Sequence, residues 1–129
     1  MRRRHLLALA GLPLLAAIPP ARAAGGKFDA AAFAAAQAAG KPILVDIWAS
    51  WCSTCAKQGP ILSKLLADPA MKGLVAFRVD FDTQKDAVQA LGARNQSTLI
   101  VFRGREERGR SVGDTAEDSI RALLLKAVG

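Results

Sequence analysis

The chain has 129 residues, of which 51% are hydrophobic and 22% are charged, and its formal net charge is +7. This length suits one small globular domain and excludes a second independent core.

The first 23 residues have the pattern of a cleavable secretory signal. Arginines at positions 2 to 4 precede an apolar run from Leu6 to Ile18, and Ala21-Arg22-Ala23 offers a cleavage site. The run is shorter than the ~20 residues that a transmembrane helix needs. Gly11 and Pro13 also interrupt it. An uncleaved membrane anchor is the alternative.

We therefore expect residues 1–23 to be a signal peptide and residues 24–129 to be one mature domain, periplasmic or secreted. Because Arg3 and Arg4 stand just before the apolar run, a twin-arginine export route stays open beside the ordinary one.

Removal of the signal changes the charge of the chain. It takes away four of the 18 basic residues and leaves 14 against 11 acidic residues, a net charge of +3. The arginines on either side of Glu106 and Glu107 favour a solvated hairpin over a nucleic-acid surface. The only histidine, His5, leaves with the signal. The mature domain therefore cannot be a cysteine protease with a Cys–His catalytic pair, and it cannot have a histidine-ligated metal site.

The mature domain begins with a predicted helix and a buried strand. Residues 24–27 are interpreted as a short flexible leader. The alanine-rich stretch Phe28 to Ala39 predicts a helix that Gly40 ends. The run Ile43 to Trp48 is apolar on both faces apart from Asp46, which predicts a central buried strand.

A second helix and a second buried strand follow. Apolar residues at helical spacing predict a helix from Ser53 to Ala67, stopped by Asp68-Pro69. Pro60 lies inside this helix and should kink it, because proline lacks a backbone donor. Leu74 to Val79 predicts the next buried strand.

The last third of the chain predicts two helices and two strands. They are a helix from Thr83 to Leu91, a strand from Thr98 to Phe102, an edge strand from Glu107 to Val112 after a turn around Gly104, and an amphipathic helix from Thr115 to Ala127. Ile120, Leu123 and Leu124 should face inward on the last helix, and Thr115 with Asp118 forms a capping pattern. This order predicts an α/β fold with a central mixed β-sheet flanked by helices on both faces.

The chain's two cysteines, Cys52 and Cys55, stand where the central strand passes into the following helix. Unpaired N–H groups and the helix dipole stabilise a thiolate there, and the pKa of a Cys-x-x-Cys cysteine can fall from about 8.5 to roughly 3.5–7.5. Cys52 is the predicted nucleophile that attacks a substrate disulfide, and Cys55 resolves the mixed disulfide. This chemistry needs no cofactor beyond the Cys52–Cys55 disulfide.

Three other roles are open to the same pair. A static disulfide would add little stability, because the loop that it closes is short. Two thiolates also suit soft ions such as Cu(I), so a metal-binding or metal-delivery module is the alternative function, although closed zinc coordination would need further ligands. The third is a redox-inactive docking domain, against which the intact cysteine pair argues.

The segment Val45 to Cys52 resembles the active-site strand of the thioredoxin family. Further matches are Pro60 at the family's helix-kinking proline, Val79-Asp80 at the end of its next strand, and Gly104 and Gly113 at family glycines. The resemblance extends over residues 28 to 127, and it implies the thioredoxin fold and thiol–disulfide oxidoreductase activity.

By this resemblance, Asp46 is the buried aspartate that accepts a proton from Cys55, and burial should raise its pKa. A structural carboxylate satisfied by hydrogen bonds is the other interpretation. Trp51 would either shield the cysteines and offer an apolar surface to a partner, or pack in the core.

The remaining substrate-binding residues implied by the resemblance are Ser53 and Thr54, between the cysteines, and Ser97 and Thr98. Ser97 departs from the family, which has a cis-proline there, followed by threonine. A cis bond before a non-proline residue costs ~3–4 kcal/mol, so the Gln96–Ser97 bond should be trans unless packing enforces the strain. Ser97 is still expected within contact of the cysteine pair.

A second departure concerns Asp46. The lysine that pairs with this aspartate in common thioredoxins is replaced by Ala76, so Asp46 is expected to lack a counter-charge. The expected function is the reduction of protein disulfides, with oxidation as the direction that the motif leaves open. The resemblance implies protein thiol and disulfide substrates and a membrane thiol-relay protein as electron donor. We expect a monomer that binds no nucleic acid.

Overall fold

A computed structural model describes residues 26–129 and Gly11. Apart from Gly11, the predicted signal peptide, residues 1–23, lies outside the described residues. The elements are β1 (Gly26–Lys27), α1 (Ala30–Ala38), β2 (Pro42–Trp48), α2 (Ser53–Leu66), a short 3-10 helix (Pro69–Met71), β3 (Val75–Asp80), α3 (Lys85–Ala90), β4 (Thr98–Arg103), β5 (Glu106–Val112) and α4 (Glu117–Val128).

The five strands form one mixed sheet in the order β1-β3-β2-β4-β5. Strand β3 runs parallel to β1 and β2, whereas β4 runs antiparallel to β2 and β5. Strand β2 is the middle of the sheet, and its residues from Ile43 to Ile47 are all buried. The predicted central strand and the predicted edge position of β5 are both confirmed.

Helices cover both faces of the sheet, as predicted. On one face, Leu62 and Leu65 of α2 pack with Ile120, Leu123 and Leu124 of α4 against β2 and β4. On the other face, Phe33 of α1 and Val88 of α3 pack against the opposite sides of the same strands, and Phe33 makes edge-on aromatic contacts with Phe77 and Phe102. Because successive side chains of a strand point to opposite faces of the sheet, each strand contributes residues to two separate apolar layers.

Residues 26 and 27 are not a flexible leader. They form β1 and pair with Phe77 and Arg78 of β3, and the Phe28 N–H continues the pairing by donating to the Arg78 carbonyl oxygen at 2.8 Å. Two residues show no periodicity of their own, so this strand exists only because β3 offers an open edge.

The predicted cap of the last helix is also wrong. Helix α4 begins at Glu117 with Ala116 as its N-cap, and within the described part of the chain no side chain forms a capping hydrogen bond at this helix start. Asp114 instead stabilises the segment that leads into α4. Its Oδ1 accepts a hydrogen bond from the Ala116 N–H at 2.9 Å, and its Oδ2 accepts one from the Ser119 hydroxyl. Thr115 and Asp118 therefore do not form a capping box.

One proline and one glycine mark local features of the chain. Pro60 lies inside α2, which runs unbroken to Leu66; the predicted kink stays a prediction. Gly104, in the β4–β5 turn, has φ +59, and a Cβ there would lie 3.3 Å from the Gln37 carbonyl oxygen, so the turn requires glycine. Among residues 26–129, no helix is long and apolar enough to cross a membrane.

Candidate active site

The two cysteines lie at the junction of β2 and α2 and form a disulfide with a Cα–Cα distance of 5.2 Å. Both side chains are buried and pack with Ala49 against Trp48 and Phe81. The Cys-x-x-Cys spacing places the second sulfur on the first turn of α2, within bonding reach of the first.

Cys52 is the N-cap of α2. Its backbone is extended, with φ −84 and ψ 108, and its Sγ accepts the Cys55 N–H at 3.1 Å. The first N–H groups of a helix lack carbonyl partners within the helix, and an N-cap side chain normally supplies one. Here the sulfur does so, and negative charge on it would be stabilised by the same donor and by the helix dipole.

Trp51 is a surface residue, with 59% of its area exposed, so the core-packing interpretation is wrong. Its indole Nε1 donates to Asp82 Oδ2 at 2.7 Å, which holds the ring beside the loop that follows β3. Asp82 was not among the predicted site residues, because an acidic residue in a loop carries no sequence signal for this contact.

Ser53 and Thr54 occupy the first turn of α2, where Ser53 is exposed and Thr54 is half-buried. Their predicted contacts with a substrate stay predictions.

Asp46 lies on β2, and only 7% of its area is exposed. The prediction that it lacks a counter-charge is wrong. Arg78 donates to Asp46 Oδ2 from Nε at 3.3 Å and from Nη2 at 3.2 Å. The reason is the strand register: β3 aligns Arg78 with Asp46, whereas Ala76 is aligned with Leu44.

Two opposing effects act on the Asp46 carboxyl. Burial raises its pKa, and the charge and hydrogen bonds of Arg78 lower it, with a net rise. The predicted rise is therefore confirmed, although a cation is present. The Arg78 guanidinium also lies over the Trp48 ring, 4.9 Å from its centroid, which holds the arginine in place by a cation–π contact.

Ser97 immediately precedes β4 and is 6% exposed. All peptide bonds of the described residues are trans, so the Gln96–Ser97 bond is trans as expected. Ser97 has φ +56 and is the one non-glycine residue with positive φ in that part of the chain. This left-handed conformation costs roughly 1–2 kcal/mol for a residue with a Cβ. Its contact with the cysteine pair stays a prediction.

Thr98 is buried at the first position of β4, aligned with Ile47 of β2. Its hydroxyl donates to the Asn95 carbonyl oxygen at 2.7 Å. This bond closes the loop before β4, and a direct role of the hydroxyl in substrate binding stays a prediction.

Gln58 is a buried polar residue that the sequence interpretation missed. It lies on α2, three residues after Cys55, and only 1% of its area is exposed. Its Nε2 donates to the Ser97 carbonyl oxygen at 3.3 Å and to the Asp114 carbonyl oxygen at 2.8 Å. The available signal was a glutamine in an otherwise apolar row at helical spacing with Cys55, Leu62 and Leu65.

No group of three or more His, Cys, Asp or Glu side chains arranged to hold a metal ion occurs among residues 26–129. Nothing in the described site favours the Cu(I)-binding alternative over thiol–disulfide exchange.

The same region of the chain matches known proteins. The thioredoxin family model matches residues 26–126. The crystal structure of Trxlp from Edwardsiella tarda is 44% identical in sequence with a TM-score of 0.74, and the match covers 76% of this chain and 95% of that one. Thioredoxin 1 of Chlorobaculum tepidum is 30% identical over 89 residues, which is 68% of this chain and 86% of that protein.

A chloroplastic M-type thioredoxin of Zea mays is 28% identical over 88 residues. That match covers 68% of this chain and 52% of the maize protein, so the chain spans about half the length of this relative. Because the family model matches well over half of the residues, including the disulfide and the strands around it, the chain belongs to the thioredoxin family.

Proposed function

We propose that this chain is an exported thiol–disulfide oxidoreductase that reduces disulfides in other proteins. Membership of the thioredoxin family and the Cys52–Cys55 disulfide support the oxidoreductase activity. The single observation that carries the proposal is the position of Cys52: its sulfur is the N-cap acceptor of α2 and is also bonded to Cys55.

The exchange proceeds in two steps from the reduced protein. The Cys52 thiolate attacks one sulfur of the substrate disulfide, so that a bond to Cys52 forms, the substrate bond breaks and one substrate thiolate leaves and takes up a proton. The Cys55 thiol then loses its proton and attacks the Cys52 sulfur, which releases the second substrate thiolate. Two electrons have passed to the substrate, and the protein holds its disulfide.

Asp46 is the proposed acceptor of the Cys55 proton, directly or through water. A carboxyl group whose pKa is raised lies closer to the working pH, which makes it a better general base than an ordinary aspartate. Arg78 keeps the group ionisable despite its burial, because its charge favours the carboxylate.

The cellular setting is part of the proposal. Residues 1–23 act as the export signal, and the mature domain works as a monomer in the periplasm or outside the cell. Reducing activity there needs a supply of electrons, and a membrane thiol-relay protein would return the Cys52–Cys55 disulfide to the dithiol.

The activity is tested with residues 24–129 and insulin as the protein disulfide, with a dithiol as reductant. We expect turnover by the wild type, none by Cys52→Ser, and a trapped mixed disulfide with Cys55→Ser, which keeps the nucleophile and lacks the resolving thiol. A wild type that leaves insulin intact would contradict the proposed function. Equilibration with glutathione then decides the direction, because a reductase must hold a more negative potential than its substrates.

Export is tested with the full chain expressed in a Gram-negative host. We expect a periplasmic product whose first residue is Ala24. A product that keeps Met1 and stays in the membrane fraction would instead identify an uncleaved anchor.

A further inference from the structure

Ser97 holds an unfavourable backbone conformation that other groups must maintain. Its φ of +56 is strained for serine, and such strain persists only where the surroundings over-determine it. Two donors converge on its carbonyl oxygen: the Gly113 N–H at 3.0 Å and the Gln58 Nε2 at 3.3 Å. Strained residues of this kind are enriched at functional sites.

Gln58 connects three parts of the molecule. It extends from α2, and its Nε2 bridges the carbonyl oxygens of Ser97, before β4, and Asp114, before α4. Because both partners are acceptors, the NH₂ group must face them, and the orientation of the amide is settled.

Burial of the Gln58 amide costs free energy unless the hydrogen bonds that its Nε2 donates are needed by the fold. Its Oε1 is buried and accepts no hydrogen bond from the residues that the structure describes. The other inward side chains of α2, such as Leu62 and Leu65, are apolar. An apolar residue of similar size would avoid the unpaired oxygen but would leave the Asp114 carbonyl oxygen without the Gln58 donor and the Ser97 carbonyl oxygen with one donor fewer.

We propose that Gln58 is a positioning residue that clamps Ser97 in its left-handed conformation, so that the loop before β4 forms a fixed surface for a protein disulfide. The substrate class in this inference rests on the proposed function, whereas the clamp is a property of the fold. Gln58 lies on α2, which contains Cys55 and has Cys52 as its N-cap, and β4 continues from Ser97 into its pairing with β2, so the clamp joins this loop to the active-site helix.

The test compares two substrates and two variants. Gln58→Met replaces the amide by an apolar side chain of similar size. Gln84→Met is the matched control, because Gln84 Nε2 also donates to a main-chain carbonyl, that of Phe28 at 2.9 Å rather than that of Ser97. Pre-reduced proteins react with insulin and, separately, with the small disulfide dithiobis-nitrobenzoic acid.

We expect Gln58→Met to lower the rate with insulin at least fivefold and to leave the rate with the small disulfide within twofold, since the small molecule needs only the Cys52 sulfur. The Gly113 amide should exchange with solvent at least tenfold faster, because its acceptor is no longer held. Gln84→Met should change neither quantity by more than twofold. Equal loss on both substrates, or an unchanged Gly113 amide, would overturn the proposal.

Rescue by Ser97→Gly separates a clamp from general packing. Glycine adopts positive φ without strain, so the double variant Gln58→Met/Ser97→Gly should recover most of the insulin rate lost in the single variant. If Gln58→Met does not fold while the double variant does, the clamp is supported. If neither folds, or if glycine gives no recovery, Gln58 serves core packing alone and the proposal is wrong.

Failure of the proposed function gives a different result. In that case the wild type itself leaves insulin intact, while the Gly113 exchange and the folding of the two variants still decide whether Gln58 clamps Ser97.

Discussion

Asp46 illustrates how a single residue is governed by opposing effects. Burial disfavours its carboxylate, and Arg78 at 3.2 Å favours it. Arg78 is one-third exposed, so water weakens its attraction and the desolvation effect prevails. The result is a carboxyl group that is harder to ionise in the folded protein than in the unfolded chain.

This raised pKa predicts a pH dependence of stability. The folded state binds the Asp46 proton more tightly than the unfolded state, so the contribution of Asp46 is greatest below the unfolded pKa of about 3.9 and declines as pH rises through the folded pKa. The difference in free energy of unfolding between the wild type and Asp46→Asn should therefore fall as the pH is raised from acid to neutral. Urea unfolding of both oxidised proteins between acid and neutral pH measures it. A constant difference would rule out the raised pKa.

At the scale of secondary-structure elements, the helices that border the site were predicted to within a few residues. Helix α2 was predicted from 53 to 67 and observed as Ser53–Leu66, because its apolar spacing and its Asp-Pro stop are both local signals. The start of α4 differs from the prediction, since the Asp114 side chain accepts the Ala116 N–H and the Ser119 hydroxyl, and the spacing of Thr115 and Asp118 does not reveal these contacts.

The α2 N-terminus predicts the behaviour of the nucleophile. In a Cys55→Ser variant, Cys52 is a single free thiol whose sulfur still faces the N–H of residue 55. We expect it to ionise at lower pH than an ordinary exposed thiol, whose pKa is about 8.5. The ultraviolet absorbance of the thiolate during titration measures this. A midpoint equal to that of an unfolded peptide would remove the electrostatic basis of the mechanism.

The α4 N-terminus gives a second comparison. Asp114→Ala should lower the free energy of unfolding by about 1 kcal/mol, the usual net contribution of a side-chain hydrogen bond. Thr115→Ala should change this free energy little, because the Thr115 side chain makes no capping hydrogen bond to α4 among the residues that the structure describes. Chemical denaturation of the two variants distinguishes them, and a larger loss at Thr115 would restore the capping box.

At the scale of the whole molecule, the sheet brings together residues that are distant in sequence. Parallel pairing of β2 and β3 places Arg78 opposite Asp46, and packing of α2 against the loops before β4 and α4 brings Gln58 to Ser97 and Asp114.

The register of β2 and β3 predicts the effect of removing the arginine. Arg78→Met should lower the free energy of unfolding at neutral pH by about 1–2 kcal/mol, less than for a fully buried pair because Arg78 is partly exposed. Arg78→Lys keeps the charge and should lose less. Denaturation at neutral and acid pH tests this, since the loss should shrink once Asp46 is protonated. A loss that persists undiminished in acid would show that Arg78 acts through packing alone.

The amino-acid sequence by itself determined the order of the four α-helices and of strands β2 to β5, the mixed α/β sheet and the two reactive cysteines, because periodicity, helix stops and Cys-x-x-Cys spacing are local properties of the chain. Only the tertiary structure decided that Arg78 forms an ion pair with Asp46, that Gln58 hydrogen-bonds to Ser97 and that residues 26 and 27 form a strand. Each of these depends on strand register or on packing between segments more than 30 residues apart, and such partners leave no pattern within either segment.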